Sequence, residues 1–136
     1  YKLITLVKNL KKALISKNGT IITLSKHDGI SIINNNIAVQ CKFAEINNLK
    51  INDFSIANNN EVWLATNKGV IILSIDKPNS YKLYDARHGL PERNLKKIEC
   101  LNGDLFVGSE EEIFHLRSGW IDALQNNNKL TYVSAI

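Results

Sequence analysis

Three parts of the chain carry side chains that could grip a polar or charged ligand. Arg87-His88-Gly89-Leu90-Pro91-Glu92-Arg93 sets two guanidinium groups and an imidazole in one short segment. Such a set can hold a carboxylate, a sulfate or sugar hydroxyls through charge-assisted hydrogen bonds. His27-Asp28 and Asn67-Lys68 are short polar pairs, each just before a glycine, at Gly29 and Gly69. These eight residues, Arg87, His88, Glu92, Arg93, His27, Asp28, Asn67 and Lys68, are the candidate ligand contacts. For any single one, the plainer role is a structural linker or turn with solvated charge.

No catalytic set can be nominated. A His-Asp pair needs a nucleophile to make a triad, and none stands with His27-Asp28. The three histidines, His27, His88 and His115, lack metal-ligand spacing. Glu110-Glu111-Glu112 is a run of like charge, which favours an exposed turn over a cation site. Neither a cofactor nor a resident metal is expected. Trp63 could stack on a sugar ring, but its place in mid-strand favours packing. Gly29 and Gly69 could mark close approach of a ligand, but turns needing positive φ account for them.

The elements that would position these residues are strands. Glu61 to Gly69 reads E-V-W-L-A-T-N-K-G, followed by Val70-Ile71-Ile72-Leu73. Imperfect copies lie at Ile21 to Gly29 and at Asp104 to Glu112, with offsets of about 40 and about 43 residues. Within the middle copy, Asp53–Ala57, Glu61–Thr66, Val70–Ile75 and Tyr81–Tyr84 are expected as strands, separated by turns rich in Asn, Gly and Pro. The first unit follows as Ala13–Ser16, Ile21–Ser25, Ile30–Ile33 and Ile37–Phe43, and the third as Ile98–Leu101, Leu105–Ser109, Ile113–Leu116 and Gly119–Asp122. Leu130–Ala135 begins a further strand. Asn18-Gly19 and Asn102-Gly103 are expected as two-residue hairpin turns, with Asn58-Asn59-Asn60 at the matching place between them. A helix could be drawn through Leu6, Val7, Leu10, Ala13 and Leu14. Against it, Asn9-Leu10-Lys11-Lys12 recurs as Asn94-Leu95-Lys96-Lys97 before an Asn-Gly turn.

Four-stranded antiparallel units repeating every 40–45 residues or so are β-propeller blades. Val62, Leu64 and Thr66 point one way and Trp63 and Ala65 the other, as a blade buried on both faces requires. The chain is therefore expected to be all-β: blade A over about 9–47, blade B over about 48–93, blade C over about 94–127, and the start of a further strand over 128–136. Propellers close with about 4–8 blades, so three are an incomplete part of a larger propeller. The remaining blades are its first expected partners. Ligand sites in propellers tend to form where blade linkers and second-to-third-strand turns converge. Here those are Ala44–Lys50, Asp85–Asn94, His27-Asp28, Asn67-Lys68 and Glu110-Glu111.

Bulk properties narrow the function classes. Hydrophobic content of 44% and charged content of 22% suit a folded domain. The net charge of +4 comes from scattered lysines, without the basic stripe and interleaved aromatics of a nucleic-acid binder. Cys41 and Cys100 stand at non-equivalent repeat positions and read as buried free thiols. No run approaches a membrane-spanning length. The sequence contains no Met and reads as a piece of a longer protein.

The blade pattern resembles the two-component regulator propeller repeat of bacterial hybrid histidine kinases. Gly89-Leu90-Pro91 with Asn94-Leu95, and Asn102-Gly103-Asp104-Leu105-Phe106-Val107-Gly108-Ser109, follow its pattern. Val62-Trp63-Leu64-Ala65-Thr66 through Gly69-Val70 is the best copy. The chain departs from it at Asn48-Leu49-Lys50, at Thr23 in place of Trp, and at Glu112 in place of Gly. The resemblance implies a ligand-sensing, non-catalytic segment in the periplasmic or extracellular part of an inner-membrane protein. It also implies a homodimer in the full-length context, with an oligosaccharide or other small ligand. A protein-interaction scaffold is the alternative.

Overall fold

The structure is a computed structural model, which describes residues 9–57, 60–91, 94–125 and 133–135. Among these residues the chain forms three four-stranded antiparallel sheets, each in simple meander order. The first holds β1 (Leu10–Ile15), β2 (Ile21–Ser25), β3 (Gly29–Asn34) and β4 (Ile37–Gln40). The second holds β5 (Ile51–Ile56), β6 (Glu61–Thr66), β7 (Val70–Ser74) and β8 (Tyr81–Tyr84). The third holds β9 (Lys97–Leu101), β10 (Asp104–Gly108), β11 (Ile113–Leu116) and β12 (Val133–Ala135). One short helix, α1 (Trp120–Gln125), follows β11.

Alternation along the strands puts apolar side chains on both faces of the middle sheet. Val62, Leu64, Ile71 and Leu73 pack with Ile22, Leu24, Ile30 and Ile32 of the first sheet. Trp63, Ala65, Val70 and Ile72 pack with Ile98, Leu105, Val107 and Leu116 of the third. Trp63, 5% exposed, is thus packed between sheets. The Asn-rich turns behave differently from one another. Asn102 and Gly103 take φ 53° and 86° in a two-residue turn, as expected. Between β1 and β2 only Gly19 is left-handed, at φ 84°, and Ser16 N–H bonds to Thr20 O at 2.8 Å around a three-residue loop. The β5–β6 turn copies this one, with Asn60 at φ 62° in the glycine's place; Asn58 and Asn59 lie outside the described residues.

One expected strand is wrong. Gly119–Asp122 does not pair with β11. Gly119 takes φ 88°, Trp120 N–H bonds to Arg117 O at 3.1 Å, and α1 begins. This turn drops Trp120 into the interface between second and third sheets, where it is 5% exposed. The fourth strand of the third sheet is β12, pairing His115 with Val133 and Ile113 with Ala135. Residues read as the start of a further strand therefore complete this sheet; Leu130, Thr131 and Tyr132 lie outside the described residues.

The first strands of the sheets are tied by side chains. Asp53 on β5, buried, accepts from Lys12 Nζ on β1 at 2.9 Å and from Ile98 N–H on β9 at 3.0 Å. Lys12 also donates to Phe54 O at 2.8 Å and lies 5.2 Å over the Phe54 ring. Ser55 Oγ accepts from Cys100 N–H at 3.2 Å, and Asn52 Nδ2 donates to Leu95 O at 2.7 Å. Asp53→Ala strands both Lys12 and the Ile98 N–H and is expected to lower stability by about 3 kcal/mol. Asp53→Asn keeps an acceptor and should cost about half as much. Urea unfolding of the two variants measures the difference.

Gly69 marks close approach, but of the chain itself. At φ 140°, a Cβ there would overlap the Tyr84 carbonyl oxygen. At Gly29, φ 69°, the nearest atom to an added Cβ is Ile51 Cδ1 at 3.8 Å. Gly69→Ala is therefore expected to cost 3 kcal/mol or more (roughly) and Gly29→Ala only about 1 kcal/mol, read as the shift in thermal midpoint.

Candidate functional site

The linker after β8 is occupied by its own hydrogen bonds. Asp85 caps the 3-10 turn Ala86–His88, its carboxylate accepting from Arg87 N–H at 3.0 Å. Arg87 folds back on the same carboxylate, with its NH2 group 3.0 Å from Oδ2. His88 Nδ1 accepts from Asp85 N–H at 3.2 Å, and the ring packs edge-on to Tyr84 at 5.3 Å. Burial favours the neutral Asp85 carboxyl. The Arg87 hydrogen bonds and the charge of Arg87 outweigh it and hold Asp85 below its usual range. Arg87 and His88 thus both engage Asp85 in capping this turn. Glu92 and Arg93 lie outside the described residues.

Asn67 is likewise structural. Its Oδ1 accepts from Lys50 N–H at 2.8 Å and its Nδ2 donates to Asn48 O at 2.9 Å, fastening the linker to the turn. Lys68 is exposed; its N–H bonds to Thr66 Oγ1 at 3.0 Å. Asp28 is exposed as well, and its carbonyl accepts from Gln40 Nε2 at 2.6 Å. Among the described candidates, His27 lines a sizeable cleft. That cleft, about 510 Å³, opens between the first and second sheets beside the β2–β3 turn. Lys11, Lys26 and Lys50 line it with His27, and among the described residues no acid does. Sequence reasoning missed the lysines because they come from β1, a turn and a linker far apart in the chain.

A second cleft, about 430 Å³, lies at the opposite ends of the strands, between second and third sheets. Ala57, Cys100, Gly103 and Gly119 form its small-residue wall. Trp63 and Trp120 line it, their rings edge-to-face at 6.1 Å and 90°. Glu61 and Asp122 bring carboxylates; Glu61 Oε1 accepts from Trp63 Nε1 at 3.3 Å. Trp120 also meets Tyr84 edge-on at 5.2 Å. The signal in the sequence was a second tryptophan just after a glycine at a strand's end.

One His-Asp pair is well formed. His115 Nε2 is 3.0 Å from Asp104 Oδ2, with Phe106 stacked on the imidazole at 4.4 Å. Asp104 Oδ1 accepts from Ser118 N–H at 2.6 Å. The His115 hydrogen bond holds the Asp104 carboxyl below its usual range. The carboxylate bridges the imidazole and the Ser118 backbone N–H, so the pair fastens the β11 turn. Among the described residues, no group of three or more His, Cys, Asp or Glu is placed to share a metal, and no helix is long and apolar enough to cross a membrane.

The fold is that of propeller blades. Over 96% of this chain and 17% of the other, it superposes on the extracellular domain of what is described as a hybrid two-component system of B. thetaiotaomicron, with TM-score 0.68 and 18% identity. A streptogramin B lyase matches with TM-score 0.67 and 15% identity, over 93% of this chain and 40% of that one. Both neighbours are propellers. The chain thus spans less than half the length of either. No protein-family profile matches the sequence, and no curated protein does.

The two thiols are free and differ in setting. Cys41 lies in the core between first and second sheets, where burial pushes its pKa up to about 11. Cys100, half-buried at the second cleft, is also raised by burial. At pH 8, iodoacetamide is expected to modify Cys100 on the order of tenfold faster than Cys41, as counted by peptide mass spectrometry.

Proposed function

We propose that this chain is a non-catalytic segment of an extracytoplasmic sensor propeller in a two-component system. It binds a small anionic ligand, such as a carboxylated or sulfated oligosaccharide, in the cleft of Lys11, Lys26, His27 and Lys50. The observation that carries this reading is the cleft's charge: cations and, among the described residues, no lining acid, on the face where linkers and turns converge. The likeness to an extracellular sensor domain supports the setting. On this reading the full-length protein is anchored in the inner membrane, works as a homodimer, and passes a ligand-driven change to a kinase domain. The exposed apolar side chains Ile15, Ile37 and Val39 of the first blade and Leu101 and Ile113 of the third fit faces covered by further blades.

Calorimetric titration with a sulfated chondroitin disaccharide tests the cleft. Binding is expected, weakening steeply as salt rises from about 50 mM to about 500 mM because the lysines are solvent-screened. Lys26→Ala and Lys50→Ala should each weaken it about fivefold, consistent with about 1 kcal/mol per charged contact. Salt-insensitive binding, or none, removes the anion reading. Capture of a protein partner by a chain that binds no small ligand replaces it with the scaffold alternative.

A further inference from the structure

His27 differs from the other two histidines in what surrounds it. His88 stands 3.4 Å from a carboxylate oxygen of Asp85, and His115 stands 3.0 Å from one of Asp104. A proton at either meets a negative charge already in place. His27 instead lines its cleft with Lys11 from β1, Lys26 from its own turn and Lys50 from the linker into β5. The acids on these elements are engaged elsewhere or lie outside the lining. On the linker, Glu45 accepts from the Tyr81 hydroxyl at 3.2 Å. On β5, Asp53 is held by Lys12 and the Ile98 N–H. Asp28 follows His27 directly, is exposed, and is not part of the lining. A proton on His27 therefore adds a fourth positive charge to three, with no acid among the described lining residues to neutralise it.

The backbone that carries these cations is held by hydrogen bonds. Lys26 N–H donates to Asn9 O at 2.9 Å. Asp28 N–H donates to Ser25 Oγ at 3.1 Å, and Gln40 Nε2 donates to Asp28 O at 2.6 Å, so His27 is bracketed on both sides. Lys50 is fixed through both of its backbone groups by Asn67. Imidazole ordinarily changes charge between pH 5 and 8, where lysine stays charged. In the empty cleft an imidazolium is repelled by the ammonium groups; with an anion bound it is attracted. Proton and anion thus bind cooperatively, and by linkage each raises the affinity for the other by the same factor. We infer that His27 is a proton switch on the anion cleft, which takes its ligand more tightly in a mildly acidic medium and releases it as the pH rises. This concerns the regulation of the site proposed above and rests on that reading.

The sulfated chondroitin disaccharide serves again as the probe, because its sulfate and carboxylate both stay ionised between about pH 5.5 and about pH 8. Calorimetric titration at about 50 mM salt is expected to give an affinity about fivefold higher at the lower pH than at the higher, the effect of one solvent-screened charge. His27→Gln, at an exposed turn position, is expected to give one affinity at both pH values. His27→Lys makes the charge permanent and is expected to be equally flat, at the higher affinity. Lys26→Ala should weaken binding at both pH values and keep the dependence on pH. Titration near neutrality in two buffers of different ionisation enthalpy should show net proton uptake in the natural chain and none in His27→Gln. Equal affinity at the two pH values in the natural chain overturns the switch and leaves the anion cleft standing. A dependence on pH that persists in His27→Gln belongs to another group and overturns the switch as well. Binding at neither pH removes both the switch and the cleft on which it rests.

Discussion

A carboxylate buried among three adjacent strands must be paired with a cation and hydrogen-bonded on both oxygens, or the strands separate to let water in. Asp53 meets both conditions by reaching sideways. Lys12 from the first blade holds one oxygen, and the Ile98 N–H of the third holds the other. Lys12 and Asp53 occupy equivalent places. Each follows a one-residue register shift at the start of its hairpin, after Leu10 in one case and Ile51 in the other. The bulge turns the strand so that a side chain points at the neighbouring blade rather than along its own sheet. In the third blade β9 pairs with β10 without a shift, and a backbone N–H fills the place. Blade spacing at the inner strands is therefore fixed by a polar network, while the faces behind it close by apolar packing.

The two blade interfaces obey the same constraint with different materials. Between the first and second blades the contact is aliphatic: branched side chains interdigitate, with Phe54 fully buried at its centre. Between the second and third, rings dominate. Trp63, Tyr84 and Trp120 meet edge-to-face, a geometry rings prefer to flat stacking. Planar groups at right angles fill space less evenly than branched chains, and Ala57, Gly103 and Gly119 add little volume beside them. The second cleft is the consequence. It opens where packing passes from the tight inner strands to α1.

The strands were legible because a blade covered on both sides needs apolar residues at nearly every position, and β-branched runs between Asn and Gly turns satisfy that. The eight strands of the first two blades stand within a few residues of their expected places. The fourth strand of the third blade was hidden by Gly119. Its positive φ starts a helix in an apolar stretch that looked like a strand. The candidate site was far less legible. Arg87 and His88 are the right chemical types, and Asp85, two and three residues before them, hydrogen-bonds to both, a local tie that the sequence did not announce. In the sequence Lys12 is one of two adjacent lysines with no acid near it in the chain, whereas its partner lies 41 residues on. Side chains brought together by blade packing leave no local spacing to read.

The two clefts have opposite polarity and opposite mechanical settings. The lysine cleft borders β1, β5 and the linker that Asn67 fastens, so it sits beside the inner strands that Asp53 ties together. The tryptophan cleft is bounded by α1, which belongs to the connection between β11 and the edge strand β12. Trp120 holds that connection by ring packing against Trp63 and Tyr84 and not through the Asp53 network. Displacement is cheapest where polar ties are fewest. Of the two clefts, the one beside β1 and β5 is thus walled by the polar ties of Asp53 and Asn67, and the one beside α1 by ring packing.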